Sequence, residues 1–151
     1  MRFVIQRVNR ASVSAEGRVL GRIGKGFMVL AGICETDTKE TADKMIAKMA
    51  KLRIFDDENG KTNLDINTVG GSLLIVSQFT LYADCRKGNR PSFIKAGDPK
   101  RAEELYEYIL EKAQEFVPDV QRGEFGAHMK IDLENDGPFT VILDSAELLR
   151  K

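Results

Sequence analysis

The 151-residue chain is poor in the residues that most often bind transition metals or act as bases. It contains one histidine, His128, two cysteines and no tryptophan. Cys34 and Cys85 lie far apart without metal-binding spacing, which favours reduced thiols in a cytoplasmic protein. One histidine and two separate cysteines supply too few ligands for a zinc site, and no spaced acidic cluster indicates a hard-cation site. We therefore expect no metal.

Long apolar runs and nucleotide-binding motifs are also absent from the sequence. The first residues, MRFVIQRVNRASV, hold only a three-residue apolar run with charges on both sides. This pattern predicts neither a signal peptide nor a membrane span. No GxxxxGK[ST] loop occurs, and no GxGxxG opens a helix. We expect a cytoplasmic protein without a cofactor and without a membrane partner.

The charge is balanced overall but unevenly distributed along the chain. There are 23 Lys and Arg residues against 23 Asp and Glu residues. The segments 1–26 and 84–101 are both rich in bases, and the acids that oppose them are Glu16 in the first and Asp84 and Asp98 in the second. Two basic stretches on a neutral protein fit either a local anion-binding face or an ordinary solvated surface.

The first half of the chain has the hydrophobic pattern of strands around one helix. FVIQRV is typical of a strand, ASVSAEGRVLGRIG of a hairpin that turns at Glu16-Gly17, and GFMVLAGI of a strand covered on both faces. Apolar residues spaced as on one helix face predict a helix over about 38–51, with a capping box formed by Asp37 and Glu40. Asn59-Gly60 predicts a second hairpin.

The second half predicts one more helix and a β-rich end. Residues 72–82 are interpreted as a buried strand, and Asp98-Pro99 opens a helix that ends before Pro118. EFGAHMKIDL and PFTVILDS are interpreted as strands joined by the turn ENDG. The whole predicts a single α/β domain over 1–151, with layered, largely antiparallel or mixed sheets and two main helices on one side. The last strand is apolar on both faces, which indicates pairing with another subunit.

The segment SQFT at 77–80 places hydroxyl groups at the end of an apolar run, just before basic residues. A Ser77 or Thr80 nucleophile would need a neighbouring base, most often histidine. Alternation in FGAHMKIDL places His128 with Lys130 on the solvated face, so a Ser–His–acid triad is not expected. The simpler interpretation is that Phe and Thr are there for strand packing.

The segment NDGPFT at 135–140 also has two interpretations. Asn-Asp-Gly is a turn, and the proline after it can start an edge strand. A Gly-Pro bond can instead adopt the cis form at small cost, which points two successive carbonyl oxygens in one fixed direction.

Taken together, SQFTL at 77–81 and NDGPFT at 135–140 resemble the D-aminoacyl-tRNA deacylase family. The resemblance extends over nearly the whole chain, through RVxxASV at 7–13, LRIFxDxxGK at 52–61, KGNRPSF at 87–93, GxFGAxM at 123–129 and LDS at 143–145. One departure is visible: Phe139 stands where the family usually has valine.

The resemblance implies a fold, a reaction and a set of site residues. It implies a homodimer that hydrolyses the ester between a D-amino acid and the 3′-terminal adenosine of tRNA. Gly137 and Pro138, joined by a cis bond, would enter the partner's active site. The catalytic pocket would be lined by Ser77, Gln78, Phe79 and Thr80. The residues that border or support it would be Arg7, Met129 and Asn135. The phosphates of the tRNA would be contacted by Arg86, Lys87 and Arg90.

A mechanism without a side-chain base follows as a hypothesis. The N–H groups of Phe79 and Thr80 would stabilise the developing oxyanion, and the 2′-OH of the terminal ribose would assist water. Steric exclusion of L side chains predicts that glycyl-tRNA is also cleaved, since glycine has no side chain to exclude. Two alternatives stay open: a non-catalytic tRNA-binding module, and a hydrolase of small D-amino-acid esters. Neither DNA nor a membrane is an expected partner.

Overall fold

The structure is a computed structural model, and it describes residues 1–150. Within them, strands predominate over helices in the order β1 (Arg2–Ala15), β2 (Arg18–Ile23), β3 (Gly26–Gly32), α1 (Lys39–Ala50), β4 (Phe55–Asp56), β5 (Thr62–Leu64), β6 (Ser72–Ser77), α2 (Pro99–Gln114), β7 (Val120–Arg122), β8 (Lys130–Asp144) and α3 (Ser145–Leu148). A 3₁₀ turn, Phe79–Tyr82, follows β6. The short helix α3 was not predicted from the sequence.

The long strand β1 organises the main sheet, whose order is β2-β1-β3-β6-β7. β8 runs antiparallel along β1 from Arg2 to Ser14. On β1, residues 2–8 pair with β3 and residues 11–15 pair with β2, both antiparallel. The pairs β3–β6 and β6–β7 are parallel. The mixed, largely antiparallel sheet predicted from the sequence is confirmed.

The two main helices pack together on one face of this sheet, as predicted. Met45 and Ile46 of α1 and Ile109 of α2 are fully buried in a cluster with the strand residues Phe3 and Phe27. Successive strand residues point to opposite faces, and a second, smaller cluster includes Val8, Met28, Leu74 and Val76. The sheet therefore has an apolar layer on each face, and the helices cover the larger one.

The cap of α1 differs from the predicted Asp37 and Glu40 pair. Thr38 is the N-cap, and its side chain accepts a hydrogen bond from the Thr41 N–H while Thr41 reciprocates. Asp37 is instead buried, and its carboxylate accepts hydrogen bonds from the Met1 α-ammonium at 2.6 Å and the Cys34 N–H at 2.7 Å. A buried carboxylate needs such partners, and they draw Asp37 away from the helix end.

The C-terminal segments also differ from the prediction. Residues 123–129 are not a strand, and ENDG does not reverse the chain. β8 instead continues through this segment, and both of its halves pair with β1, with register irregularities between Gln6 and Val8 and between Val8 and Arg10. The 14-residue length of β1 makes this possible, because one strand can accept both halves.

Candidate active site

The predicted site strand β6 ends at Ser77, not at residue 82. Its neighbour β3 ends at Gly32, so no strand remains beside the following residues. The Gln78 N–H still donates to the Ala31 carbonyl at 2.8 Å. The chain then enters the 3₁₀ turn, and the Phe79 side chain is 58% exposed.

This turn leaves two backbone donors at its start. The Leu81 N–H donates to the Gln78 carbonyl at 3.3 Å, and the Ala83 N–H donates to the Thr80 carbonyl at 3.0 Å. Within residues 1–150, the N–H groups of Phe79 and Thr80 have no acceptor outside the turn. The first N–H groups of any helical turn are free in this way, and here they remain available to an oxygen of a bound molecule.

The side chains of the turn do not form a base-activated nucleophile. The Gln78 side-chain amide donates a short hydrogen bond to the Thr80 hydroxyl. Thr80 therefore has an amide beside it rather than an imidazole. His128 is exposed, as the sequence predicted. A hydroxyl nucleophile needs a base within hydrogen-bond reach, so the SQFT segment does not resemble a serine-hydrolase site.

A cavity of about 700 Å³ opens beside the turn. Ser77, Gln78 and Phe79 form one wall, and Met129 lies in another. These predicted residues are therefore brought together. The remaining walls come from the end of β3, the loop before α2, the first turn of α2 and the segment before β8, and they include Ile33, Phe93, Pro99, Ala102, Phe125, Ala127 and His128.

Sequence reasoning missed the place of His128 in this cavity wall. The period-2 pattern predicts the solvated face of a strand, but residues 123–129 form a turn in which Gly126 has φ +79°. Gly126, an isolated glycine inside the apparent strand pattern, was the available signal for that turn. The turn exposes His128 and directs it to the rim of the cavity at the same time.

Two contacts of the Tyr106 hydroxyl hold the segment that begins at Gly123 against β6. The Tyr106 hydroxyl donates to the Ile75 carbonyl at 2.6 Å and accepts from the Gly123 N–H at 3.3 Å. Burial raises the pKa of Tyr106 to about 12, so the hydroxyl keeps its proton at neutral pH. A Cβ at Gly123 would lie 2.6 Å from the Met129 sulfur. Glycine at this position therefore allows Met129 to reach the cavity.

The Gly137-Pro138 loop lies apart from the cavity of its own chain. Both residues are exposed, the bond between them is cis, and neither lines the cavity. Gly137 has φ +131°, and a Cβ there would lie 3.2 Å from the Arg7 side chain. The loop is therefore a solvent-facing projection from β8 at a position that favours glycine.

Arg7 and Asn135 hold this loop through side-chain hydrogen bonds. The Arg7 side chain is buried; it donates to the carbonyls of Asp136 at 3.1 Å and Ile54 at 2.8 Å, and it lies over the Phe139 ring at 4.7 Å. The Asn135 amide donates to the carbonyls of Arg7 and Phe139, each at 2.9 Å. Of the three residues predicted to line or support the pocket, Arg7 and Asn135 thus contact this loop, whereas Met129 lines the cavity.

The basic segment after the turn is a loop closed by Asp84. Asp84 and Ser92 exchange two backbone hydrogen bonds, at 2.7 and 2.9 Å. The Arg86 side chain donates to both Asp84 carboxylate oxygens, which holds the pKa of Asp84 well below its usual range. Lys87 and Arg90 are exposed near the tip. The three predicted tRNA contacts are thus unequal, because Arg86 is already paired.

Two further classes of site were sought among residues 1–150. No group of three or more His, Cys, Asp or Glu side chains is arranged to hold a metal ion. In the same residues, no helix combines the length and apolar character that crossing a membrane requires.

Comparison with known proteins identifies the family. Residues 4–144 match the D-Tyr-tRNA(Tyr) deacylase family. The chain belongs to the D-aminoacyl-tRNA deacylase family. It is 50% identical to the D-aminoacyl-tRNA deacylase of Thermosipho melanesiensis over 149 residues, which covers 98% of this chain and 99% of the relative. The enzyme of Persephonella marina is 52% identical over 145 residues, or 96% of this chain and 98% of the relative.

Solved structures of similar proteins agree with this family fold. The c-Myc DNA unwinding element binding protein is 39% identical, with a TM-score of 0.90 over 95% of this chain and 98% of that one. A probable eukaryotic D-amino acid tRNA deacylase has a TM-score of 0.83 at 16% identity, covering 94% and 97%. The second likeness concerns the fold alone. The resemblance first seen in the spaced sequence motifs is confirmed.

Proposed function

We propose that this D-aminoacyl-tRNA deacylase hydrolyses the ester between a D-amino acid and the 3′-terminal adenosine of tRNA. The observation that carries this proposal is about 50% identity to D-aminoacyl-tRNA deacylases over nearly the full chain. The cavity beside the SQFT segment supports it, since it offers an apolar volume of about 700 Å³ next to unpaired backbone donors.

The proposed catalytic element is the backbone of Phe79 and Thr80. Their N–H groups are free; Phe79 lines the cavity, and Thr80, which does not line it, is the next residue of the turn. An ester carbonyl develops negative charge as water adds to it, and each well-placed N–H donor lowers the barrier by about 2.7–4 kcal/mol where such donors have been measured. Ser77 and Gln78 line the pocket in this account and are not nucleophiles.

The proposed source of the missing base is the substrate itself. The Thr80 hydroxyl is bonded to the Gln78 amide, and His128 lies at the exposed rim. The terminal ribose carries a 2′-OH next to the reacting ester, where it can position or activate water. An aminoacyl ester is already reactive, so donors for the oxyanion and an ordered water suffice.

Chiral selection is assigned to Gly137 and Pro138 of a partner subunit. Their exposure, their distance from the cavity of their own chain and the bracing by Arg7 and Asn135 support this assignment. Rigid carbonyls beside the substrate Cα can accept the α-ammonium and leave no room for an L side chain. Glycyl-tRNA passes the same filter, because exclusion acts only on a side chain.

The proposed homodimer has a surface available on the outer side of β8. This strand pairs only with β1 in residues 1–150, and Ile142 in its second half is 64% exposed. An open strand edge with exposed apolar residues is a surface that proteins normally cover. The pairing of two β8 regions would also bring each Gly137-Pro138 loop towards the other subunit.

The tRNA is proposed to dock through phosphate contacts of the basic loop. Lys87 and Arg90 are exposed near its tip, and Arg86 is held by Asp84. Contacts to phosphates carry little sequence information, which suits an enzyme that acts on many tRNAs. Since those tRNAs serve translation, the cytoplasm is the proposed compartment.

One experiment separates this function from the two alternatives. The purified protein is incubated with D-tyrosyl-tRNA and, separately, with D-tyrosine methyl ester, each with and without excess uncharged tRNA. We expect turnover of the D-tyrosyl-tRNA and competitive inhibition by uncharged tRNA. Binding without turnover would indicate a non-catalytic module. Fast turnover of the methyl ester that uncharged tRNA does not inhibit would indicate a small-ester hydrolase.

A further inference from the structure

Arg2 makes side-chain contacts that reach from the start of β1 to the 3₁₀ turn. Its Nη1 donates to the Leu81 carbonyl at 2.6 Å, inside the turn. Its Nε donates to the Asp144 carboxylate at 2.9 Å, and its guanidinium lies over the Tyr82 ring at 4.9 Å. One cation therefore contacts two consecutive residues of the turn and the end of β8.

The turn is held at two points, and Arg2 provides the second. At the entry, the Gln78 N–H donates to the Ala31 carbonyl at 2.8 Å. At the exit, the Leu81 carbonyl accepts from Arg2. The two residues whose N–H groups are proposed to bind the oxyanion lie between these points. Movement of either fixed point would change the direction of both donors.

The surroundings leave little freedom to this arrangement. Arg2 is paired with Gly32 of β3 on one side and with Asp144 of β8 on the other. A Cβ at Gly32 would lie 3.0 Å from the Leu81 Cβ, so the turn packs directly against the end of β3. This packing brings Leu81 beside Arg2, and the hydrogen bond from Nη1 then fixes the direction of the Leu81 carbonyl.

The Asp144 carboxylate is itself fixed. It accepts a hydrogen bond from the Ala146 N–H at 3.0 Å as the N-cap of α3. Burial alone would raise the pKa of Asp144, but the hydrogen bonds from Ala146 and Arg2 outweigh it and lower that pKa. Asp144 is therefore charged at neutral pH, and it orients the guanidinium towards the turn.

We propose that Arg2 is a positioning residue for the deacylation step, which acts by holding the 3₁₀ turn so that the Phe79 and Thr80 N–H groups point at the oxyanion. This inference rests on the proposed function. The binding of tRNA uses the cavity and the basic loop, which Arg2 does not contact. Loss of Arg2 should therefore lower kcat and leave KM nearly unchanged, since the oxyanion forms only in the transition state.

Arg10 provides a matched control on the same strand. It forms an ion pair with Asp132 at 3.0 Å and so joins β1 to β8, as Arg2 does with Asp144. Arg10 makes no contact with the turn. Arg10→Met removes a β1–β8 ion pair and leaves the hydrogen bond to the Leu81 carbonyl in place. Arg2→Met removes both a β1–β8 ion pair and the hydrogen bond to Leu81.

The test compares wild type, Arg2→Met, Arg2→Lys and Arg10→Met in steady-state deacylation of D-tyrosyl-tRNA. We expect kcat to fall about 10-fold or more in Arg2→Met, which is less than the fall of about 100-fold or more that follows the complete loss of one oxyanion donor. We expect KM to change less than about twofold. Arg2→Lys should be intermediate, because one ammonium replaces only part of the guanidinium's contacts. Arg10→Met should match wild type. Equal kcat in Arg2→Met and wild type, or an equal loss in Arg10→Met, would overturn the proposal.

A second measurement tests whether Arg2 holds the turn, and it does not depend on the enzyme's activity. The amide NMR signals of Phe79 and Thr80 should shift in Arg2→Met and stay unchanged in Arg10→Met. If wild type fails to hydrolyse D-tyrosyl-tRNA, the proposed function is wrong, and these signals still test whether Arg2 holds the turn. If Arg2→Met does not fold, Arg2→Lys and Arg2→Gln provide the same comparison, and unchanged amide signals and kcat in both would contradict the proposal.

Discussion

At the scale of single residues, Thr80 separates two catalytic ideas because its two polar groups have different partners. Its hydroxyl accepts a hydrogen bond from the Gln78 side chain, whereas its N–H is free of acceptors outside the turn. A hydroxyl nucleophile is lost on truncation to alanine, but a backbone donor is retained. The site therefore allows a direct test of which group acts.

We predict that Thr80→Ala retains deacylase activity within about threefold of wild type, because the oxyanion donor is part of the backbone. The companion change is in the substrate: a D-aminoacyl-tRNA ending in 2′-deoxyadenosine should react about 100-fold more slowly or worse, as expected when general acid–base assistance is lost. Single-turnover rates measure both.

The controls for this pair are a thermal unfolding curve for Thr80→Ala and an equal-affinity check for the 2′-deoxy tRNA. A Thr80→Ala protein that is folded but inactive would support the hydroxyl as the catalytic group. Equal rates on the ribose and deoxyribose substrates would exclude assistance by the 2′-OH.

Phe139 is the residue at which the sequence resemblance leads us to expect valine, and its ring lies 4.7 Å from the Arg7 guanidinium carbon. A cation over an aromatic face contributes about 0.5–2 kcal/mol, more when desolvated. Arg7 is buried, so this contact strengthens the support of the Gly137-Pro138 loop.

We predict that Phe139→Val lowers the free energy of unfolding by about 1–2 kcal/mol through loss of this contact and of ring burial. D-aminoacyl-tRNA deacylation should persist, because valine is the residue that the sequence resemblance leads us to expect at this position. Urea unfolding measures the first effect, with the exposed Ile94→Val as control. Unchanged stability of Phe139→Val would contradict a structural role for the ring.

At the scale of elements, the two main helices were predictable, whereas α3 and the end of the site strand were not. Apolar residues at helical spacing predicted about 38–51, and the observed α1 is Lys39–Ala50. The apolar residues after Ser77 resemble more strand, yet β6 stops because β3 stops at Gly32. A strand needs a neighbouring strand for its backbone hydrogen bonds, and the local sequence does not predict where a neighbour that is distant in the chain ends.

The same reasoning explains the other element-scale errors. ENDG has turn composition, but whether such a segment reverses the chain depends on what lies beside it. Here β1 is long enough to pair with both halves of β8, and the Asn135 side chain bonds across the loop. The Asp37 carboxylate accepts a hydrogen bond from the Met1 α-ammonium, and local sequence spacing does not predict a contact between residues so far apart in the chain.

The basic loop supplies an element-scale prediction about unequal cations. Lys87→Gln and Arg90→Gln should each weaken tRNA binding and reduce the salt slope of log K by about 0.7–0.9, the value for one phosphate contact. Arg86→Gln should change the slope less, since Arg86 is bonded to Asp84. Fluorescence anisotropy with uncharged tRNA across a salt series measures these slopes. Equal slopes for all three variants and wild type would exclude the loop as the dock.

At the scale of the whole molecule, family membership was predictable because the motifs are spread over the chain. SQFTL and NDGPFT are each weak evidence, but their order and spacing together identify the family that residues 4–144 match. The positions of the two motifs relative to each other could not be predicted. In one chain the first borders the cavity and the second does not, which supports the proposal that a second subunit completes the site.

The proposed site removes D-amino acids from tRNA and spares L-amino acids. Single-turnover deacylation of D-tyrosyl-, L-tyrosyl- and glycyl-tRNA by one enzyme preparation measures this selectivity. We predict rapid cleavage of the D-ester, cleavage of the glycyl ester, and no enzyme-dependent cleavage of the L-ester. Cleavage of the L-ester as fast as the D-ester would contradict it.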